Sequence, residues 1–357
     1  MKSFDATGTN LSLQGGRTAE KQKSFKKWIW VLGAVAAVFL GTLGFRLYNL
    51  HRFHFEKQTR FMMDTYVTVY TVGPKSITAP AIAAALDRME AVNIKFNSRN
   101  PESPIYAFNE NGVPISDPEI IDLARVALQV ANDSDGAFDI TVAPLIELWG
   151  FYGDAPRLPG DDEIKRCLEN IGFHYLVLTD KTLEKKKPDV KIDLGGIAKG
   201  YAVAQAAAVL KQSGVISALI DAGGDIYALG EKGRAPWKVG IKNPRGEGLL
   251  GFIEVEDLSV MGSGDYERFF MREGKRYHHI FNPKTGYPVE GLSGSTLVYP
   301  DPVMADAWNT ALFILGADQG MRRVEAHPGM EAIVVTDSGK ILYSTGLKNA
   351  LTLSEKK

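Results

Sequence analysis

Apolar residues recur at helical spacing in several segments of this chain, and the clearest pattern lies in residues 81–96. Positions four, three, three and four residues apart there fall on one face of an α-helix, and they are Ile82, Leu86, Met89, Val92 and Phe96. A second helix is predicted from Asp117 to about residue 132, because Asp117 suits the N-cap position and Pro118 and Glu119 suit the first turn. Further helices are predicted over residues 198–214 and 304–316, and each ends at a glycine.

Strand-like segments separate these helices. Runs of β-branched and aromatic residues predict strands over residues 61–72, 190–194, 218–230, 237–242 and 252–257, and a hairpin over 332–345 that turns at residues 337–339. No internal repeat and no long low-complexity linker is seen after residue 60. The pattern therefore predicts one compact α+β domain of mixed sheets and helices over residues 61–357.

The first sixty residues have a different character. Residues 1–27 are polar and basic, which predicts a cytoplasmic tail, and residues 28–45 hold no charge over about the length at which a helix can span a bilayer. Because the basic residues precede this run, the positive-inside rule places the rest of the chain on the extracytoplasmic (periplasmic) side of the cell membrane. Residues 46–60 are then predicted to be a linker.

A cleaved signal peptide is the competing interpretation, because Ala34, Ala36 and Ala37 are small residues of the kind found at cleavage sites. The long basic region and the long apolar run favour an uncleaved single-pass anchor in the lipid bilayer.

Composition narrows the class of function. The chain has 41 Lys and Arg against 42 Asp and Glu, and 45% of its residues are hydrophobic, which excludes a disordered or fibrous chain. No basic excess is present to neutralise nucleic-acid phosphates. The single cysteine, Cys167, has no partner for an internal disulfide and no zinc-ligand spacing around it. A small-molecule or protein substrate is therefore expected.

Two glycine pairs are candidate ligand-binding turns. Gly195 and Gly196 precede a predicted helix, and the free N–H groups at its N-terminus, together with Lys199 one turn later, are suited to binding a phosphate. The spacing matches no known nucleotide-binding motif, and a purely structural turn explains the two glycines equally well. Asp221 and Asp225 flank the second pair, for which a structural turn is the favoured interpretation.

Two further segments carry candidate catalytic or metal-binding groups. The turn-rich sequence after His278 and His279 would hold a histidine rigidly, and only one of the two can enter a site because successive strand residues face opposite sides. The alternative is that both are surface residues. Asp306 and Thr310 share a helix face, with Asn309 beside them, and their oxygens suit Mg²⁺ unless Asp306 is a helix cap.

Together these segments resemble, in order, the FAD:protein FMN transferase family, the ApbE-like flavin transferases. The resemblance runs from about Met63 to the C-terminal hairpin. It rests on the motifs MDTYVTVY, FNSRNPESPIYAFN, GAFDITVAPLIELWGF, KIDLGGIAKGYAVA, IDAGGDIYALG, SGDYERFF, HHIFNPKTGYPV and ADAWNTALFILG. It implies an ApbE-like (T-fold-related) domain that uses FAD as its substrate and Mg²⁺ as its cofactor.

The resemblance also implies a reaction and its residues. FAD is cleaved at its pyrophosphate, AMP leaves, and FMN is esterified to a Ser or Thr hydroxyl of a membrane redox protein. By position in the motifs, His279 activates that hydroxyl, and Gly196 (through its carbonyl), Asp306 and Thr310 bind Mg²⁺. The FAD-contacting positions are Met63, Asn100, Ala137, Phe138, Asp139, Asp193, Lys199 and Ile280, with Ser263 and Gly264 lining the same cavity.

Three residues depart from the family pattern. Asn100 stands where transferases commonly have an aromatic residue, so that a stacking contact with the dinucleotide is lost and water competes with the protein hydroxyl. Hydrolysis of FAD to FMN and AMP is therefore an alternative activity. Asn309 stands where some relatives carry Asp, and Gly262 replaces a hydroxyl residue. A non-catalytic flavin-binding protein and a purely structural membrane-anchored module are the remaining alternatives.

Overall fold

The structure, a computed structural model, describes residues 27–28, 30–44, 54–153 and 155–354. The chain divides into two units, Met1–Phe53 and His54–Lys357. In the first, residues 27–28 and 30–44 are helical (α1), and apolar side chains such as Trp30 and Val38 are exposed. Among the described residues, no helix has both the length and the apolarity needed to cross a bilayer, a finding that does not support the transmembrane helix predicted over residues 28–45. The tail over residues 1–26 and residues 46–53 of the predicted linker lie outside the described residues.

The second unit contains seven α-helices among its described residues. They are α2 (Lys75–Phe96), α3 (Pro104–Asn111), α4 (Pro118–Asp133), α5 (Ala143–Leu148), α6 (Asp161–Leu168), α7 (Ala198–Gln212) and α8 (Pro302–Ala326). Its strands are β1 (Phe55–Met62), β2 (Thr65–Val72), β3 (Leu176–Leu178), β4 (Leu183–Lys185), β5 (Ala218–Ala222), β6 (Asp225–Leu229), β7 (Trp237–Lys242), β8 (Leu249–Val255), β9 (Leu258–Gly264), β10 (Phe269–Arg272), β11 (Lys275–His278), β12 (Leu292–Tyr299), β13 (Glu331–Thr336), β14 (Ile341–Tyr343) and β15 (Leu351–Leu353).

An eight-stranded antiparallel sheet in the order β1-β2-β5-β6-β9-β12-β13-β14 organises this unit. Alternate residues of its strands enter two different cores. In β6, Tyr227 packs into the main core with α2, α7 and α8, whereas Ile226 and Ala228 pack against the smaller sheet β15-β8-β7. The predicted mixed α+β architecture is thus confirmed. A third cluster around Trp149 joins α5 and α6 to the separate hairpin β10–β11.

Two segments that were each predicted as a single strand are in fact pairs of strands joined by a tight turn. Residues 61–72 are not one strand, because a two-residue turn at Met63 and Asp64 separates β1 from β2. β1 begins at Phe55, so residues 55–60 of the predicted linker belong to the sheet. Likewise, residues 218–230 form a hairpin whose turn is Gly223–Gly224, at φ +71° and +100°, a conformation that glycine adopts without strain.

The predicted strand over residues 190–194 pairs with no neighbouring strand. A side chain takes the place of a partner strand there, because the Asn109 amide donates to the Ile192 carbonyl and accepts from the Ile192 N–H, both at 2.8 Å. The helix predicted over 304–316 does break at its glycine, because Gly316 is non-helical (φ +75°, ψ 180°), and a second helical segment continues from this kink to Ala326. By contrast, Asp117 caps α4 as predicted, by accepting from the N–H groups of Glu119 and Ile120.

Candidate functional site

The predicted metal-binding residues meet where α7 and α8 cross. Oδ2 of Asp306 accepts a hydrogen bond of 2.8 Å from the N–H of Gly200. A Cβ added at Gly200 would lie only 2.7 Å from the Asp306 Cβ and would overlap the Pro302 carbonyl oxygen, so this approach requires glycine. The cap of α8 is Asp301, whose side chain accepts from two first-turn N–H groups. Asp306 is therefore not the cap, and it points at α7.

Gly196 lies directly against Thr310. A Cβ at Gly196 would be 3.4 Å from Thr310 Oγ1 and 3.1 Å from the Phe138 ring. Oγ1 of Thr310 also donates to the Asp306 carbonyl at 3.4 Å. In the part of the chain that the structure describes, no three His, Cys, Asp or Glu residues are grouped to hold a metal. The predicted set contains one carboxylate, and its remaining donors are a hydroxyl and a backbone carbonyl.

Carboxylates outnumber cations at this crossing. Asp225 is 1% exposed, pairs with the Lys199 ammonium and accepts from the N–H of Gly262 at 3.0 Å. Burial, together with the charge of Asp225 and then of Glu267, raises the pKa of Asp306 to about 7. Desolvation lowers the pKa of Lys199, but the carboxylates around it outweigh this effect and raise it. A further cation would be stabilised among these groups.

Asn309 connects α8 to the main sheet. It is fully buried, donates from Nδ2 to Ser263 Oγ at 2.9 Å, and accepts at Oδ1 from Ser295 Oγ at 2.7 Å. Both the oxygen and the nitrogen of the amide are thus engaged in hydrogen bonds within the protein, and Ser263 is one of the two partners. The substitution noted in the sequence therefore places a structural link, rather than a second carboxylate, beside Asp306.

The Asp193 carboxylate accepts hydrogen bonds from three loops. Its Oδ1 accepts from the N–H of Gly195 at 2.7 Å, and its Oδ2 accepts from Tyr152 Oη at 2.8 Å and Ser98 Oγ at 3.1 Å. Burial and the adjacent carboxylate raise the pKa of Tyr152 above its ordinary value, so Tyr152 stays protonated and donates. Sequence reasoning missed Tyr152 and Ser98, although both lie within the quoted family motifs or directly beside them.

Asp139 does not present a free carboxylate. Oδ1 accepts from the backbone and hydroxyl of Thr141, at 2.8 and 2.7 Å, and Oδ2 accepts from the N–H of Phe173 at 2.8 Å. Burial nevertheless raises its pKa. Asp139 therefore shapes the loop in which the buried Ala137 and Phe138 lie, and Phe138 reaches Gly196.

The two adjacent histidines have different environments. His278 is 3% exposed, its Nε2 donates to the Val289 carbonyl at 2.7 Å, and its Nδ1 accepts from the N–H of Ile280 at 3.2 Å. His279 is partly exposed, and its Nδ1 lies 3.3 Å from the Arg268 carbonyl, which fixes the proton on Nδ1 and leaves the lone pair on Nε2. As predicted, only one of the pair is free to enter a site, but strand alternation is not the reason, because β11 ends at His278 and His279 lies in the bend that follows.

The imidazole of His279 is neutral at pH 7. Desolvation, followed by the positive charge of Arg268 and by that of His278 when it is protonated, lowers the pKa of His279 to about 3. The Phe151 ring lies 6.5 Å from the His279 ring between centroids, and the next residue, Tyr152, bonds to Asp193. One dipeptide therefore contacts both the predicted base and the Asp193 loop.

The remaining predicted residues lie in connections between elements, apart from Gly264, which is the last residue of β9. Met63 occupies the β1–β2 turn at φ +55°, and the buried Ile280 follows His279. Asn100 precedes α3, and its side chain donates to the Ile94 carbonyl and accepts from the N–H of Glu102. Gly264 packs against the Tyr266 ring. Arg268 and Glu267 were missed by sequence reasoning, although the SGDYERFF motif contains both.

Comparisons with known proteins identify the family. The ApbE family matches residues 63–334. The FAD:protein FMN transferase of Klebsiella pneumoniae (strain 342) is 34% identical over 249 residues, covering 67% of this chain and 76% of that protein. The FAD:protein FMN transferase of Treponema pallidum (strain Nichols) is 30% identical over 305 residues, covering 79% and 84%.

Solved structures agree with this match. The ApbE protein of Thermotoga maritima has a TM-score of 0.78 at 34% identity and covers 83% of this chain and 98% of its own. The flavin transferase ApbE from Vibrio cholerae has a TM-score of 0.75 at 27% identity and covers 84% and 100%. The resemblance inferred from the motifs is confirmed, and this chain belongs to the ApbE family.

Proposed function

We propose that this protein is an enzyme that transfers the FMN moiety of FAD to a Ser or Thr hydroxyl of a target protein and releases AMP. The hydroxyl oxygen forms a bond to the FMN phosphorus, and the bond from that phosphorus to the bridging oxygen breaks, so that AMP leaves with this oxygen. The convergence of Gly196, Asp306 and Thr310 beside Lys199, in a chain of the ApbE family, carries the proposal. Relatives named FAD:protein FMN transferase support it.

Mg²⁺ is the proposed cofactor, and Asp306, Thr310 and the Gly196 carbonyl would hold it. Carboxylate, hydroxyl and carbonyl oxygens are the hard donors that this ion prefers. The surplus of buried carboxylates around Lys199 favours a further cation at this place. When bound, the ion neutralises charge on the transferring phosphoryl group.

His279 is the proposed base. Its Nδ1–H points to the Arg268 carbonyl, so its Nε2 is available to take the proton of the acceptor hydroxyl. The low pKa of the free imidazole keeps it unprotonated at neutral pH. A nearby diphosphate would raise that pKa, because negative charge stabilises the imidazolium. The base therefore gains strength where the substrate is bound.

Labelling of an acceptor peptide tests this proposal. The purified protein, incubated with FAD, Mg²⁺ and a peptide carrying a Ser or Thr acceptor, should make the peptide flavin-fluorescent. His279→Ala should slow labelling on the order of 10²-fold or more, with FAD binding largely kept. The matched control is His54→Ala, which removes an exposed histidine. Equal labelling by His279→Ala and the wild type would contradict the role of His279.

FAD hydrolysis to FMN and AMP is the second candidate activity. Asn100 favours it, because a short amide held by local hydrogen bonds offers no ring face to the dinucleotide. Free FMN in the assay above, without a labelled peptide, would identify this activity.

The partner and the location are also proposed. The uncharged run over residues 28–45, preceded by basic residues, supports a bilayer anchor with the enzyme domain on the extracytoplasmic side, where a membrane redox protein would carry the acceptor hydroxyl.

A further inference from the structure

The turn between β1 and β2 has an unusual backbone for its residues. Met62 pairs with Thr65 across a two-residue loop, in which Met63 has φ +55° and Asp64 has φ +59°. Two positive φ values in such a loop normally select Asn-Gly, and a methionine there is strained. Strained residues persist where the surrounding structure fixes them, and they are often found at functional sites.

The carboxylate of Asp64 lies between two arginines from different loops. Its Oδ2 accepts from Arg268 Nη2 at 3.0 Å and lies 3.8 Å from Arg99 Nη2. Arg99 in turn donates to the Tyr152 carbonyl at 2.7 Å, and the Tyr152 hydroxyl donates to Asp193. Asp64 therefore connects the loop of Asp193 with the loop of Arg268.

Arg268 holds His279 through its main chain. The Arg268 carbonyl lies 3.1 Å from the backbone nitrogen of His279 and 3.3 Å from its Nδ1. The residue that fixes the tautomer of the proposed base is thus itself tethered by Asp64.

The contribution of these ion pairs to the stability of the fold is too small to explain why Asp64 lies between the two arginines. The side chains of Asp64, Arg99 and Arg268 are each about half exposed, at 58%, 49% and 49%. Ion pairs as exposed as these contribute little to folding, because water and salt screen them. The strained turn consequently gains little in stability by placing a carboxylate there.

We propose that Asp64 is a positioning residue for His279: by holding the Arg268 guanidinium it keeps the Arg268 carbonyl in place and offsets the positive charge beside the imidazole. The inference rests on the proposed function of His279 as the base. The charged or titratable groups that face His279 are Arg268, His278 and Lys199, and all three disfavour its protonation when they are charged. Asp64 is tied directly to Arg268.

Asp64→Asn in the full-length protein tests the inference, because asparagine also tolerates positive φ but lacks the charge. We expect kcat for peptide labelling to fall about 10-fold, with the KM for FAD nearly unchanged, since a misplaced base affects the chemical step. The acidic limb of the pH–rate profile should move to lower pH, because the Arg268 charge is no longer offset and further disfavours the imidazolium.

Arg268→Gln should shift the pH–rate profile in the opposite direction from Asp64→Asn. It removes the tether but also the positive charge, so kcat should fall similarly while the acidic limb moves to higher pH. Arg268→Lys, which keeps the charge, should restore much of kcat. The double variant of Asp64→Asn with Arg268→Gln should be no slower than the slower single variant, because both remove one interaction.

Asp87→Asn is the matched control, since Asp87 forms an exposed ion pair with Arg60 of β1, the strand that precedes the turn. If Asp64→Asn matches this control in kcat and pH profile while His279→Ala is inactive, the positioning role is wrong and the role of His279 stands. If His279→Ala labels the peptide as fast as the wild type, the proposed function itself fails. Thermal unfolding of each variant separates loss of fold from loss of position.

Discussion

Several polar residues of the site have their hydrogen-bonding groups occupied within the protein. The oxygens of Asp139 accept from Thr141 and Phe173, and the amide of Asn309 joins two serines. These bonds within the protein fix the shape of the site. The groups left to act on a substrate are therefore fewer than the polar residues of the motifs.

Asn100→Tyr should shift the balance of products toward transfer. An aromatic face in place of the amide would stack on the dinucleotide and limit water, which we expect to raise the ratio of labelled peptide to free FMN roughly 2- to 10-fold. Product ratios by chromatography check this. Asn100→Leu is the control, because it removes the amide without adding a ring. An equal rise in both variants would show that stacking is not the cause.

Glu119→Gln should weaken the fold in a pH-dependent way. Partial burial opposes ionisation, but hydrogen bonds from Lys95, Tyr201 and Arg88 lower the pKa of Glu119 to about 2. Because this pKa lies below the unfolded value, the stabilisation is present above about pH 4 and is lost as pH falls toward 2. We expect a loss of about 1–3 kcal/mol at pH 7 that shrinks across this range.

Urea unfolding at pH 7 and at pH 3 measures this difference. The exposed Glu102→Gln serves as the control and should change little at either pH. A loss for Glu119→Gln that is as large at pH 3 as at pH 7 would show that the charge of Glu119 is not what stabilises this region.

Sequence reasoning identified the residue types of the site better than their partners. Asp193 and Lys199 come from one motif, Asp306 and Thr310 come from another about a hundred residues later, and the structure brings the last three to one helix crossing. The bonds that hold Asp139 and Asn309 were not predictable, because their partners Phe173 and Ser263 lie 34 and 46 residues away. Local patterns carry no information about such distant pairs.

At the scale of elements, the crossing of α7 and α8 depends on the missing side chain of Gly200. Gly200→Ala would normally stabilise a helix, but here the new methyl overlaps Pro302 and Asp306. We expect the free energy of unfolding to fall by about 1–3 kcal/mol. Because Asp306 moves with α8, the Mg²⁺ concentration required for labelling should also rise.

Chemical unfolding and a Mg²⁺ titration of labelling measure the two effects. Gly153→Ala is the control, since a Cβ there meets no atom within 4 Å, and it should change stability by less than about 0.5 kcal/mol. If the free energy of unfolding of Gly200→Ala were equal to that of the wild type or larger, α7 and α8 could move apart without loss of stability, and the close approach at Gly200 would not be required.

Helices were predicted more reliably than strand connections for a physical reason. The periodicity of α2 and the cap of α4 are local properties of a few consecutive residues. The turn at Met63 and Asp64 lacks the usual Asn-Gly signal, and the backbone pairing of residue 192 with the Asn109 side chain replaces a strand that the apolar pattern predicts. Tertiary contacts decided both cases.

At the scale of the whole molecule, the proposed anchor predicts where the protein is found. Full-length protein should sediment with membranes, and deletion of residues 1–45 should release an active domain, because the uncharged run over residues 28–45 lies within the deleted part. Cell fractionation with peptide labelling measures both. Replacing Lys26 and Lys27 with Glu tests orientation through a fused reporter. Full-length protein that stays in the supernatant would contradict the anchor.

The hairpin β10–β11 lies outside the eight-stranded sheet, and His279 follows directly after it. Its support comes from the Trp149 cluster, in which Phe270 and Tyr277 stack at 5.3 Å between ring centroids and Trp149 bonds to the Gly286 carbonyl at 3.0 Å. The hairpin also meets α8 directly, because the ring of His278 lies edge-on to Phe313 at 5.8 Å between centroids. A substitution in this aromatic cluster would therefore act on the proposed base through the hairpin, and it would reach the proposed cation-binding helix only by way of His278 and Phe313.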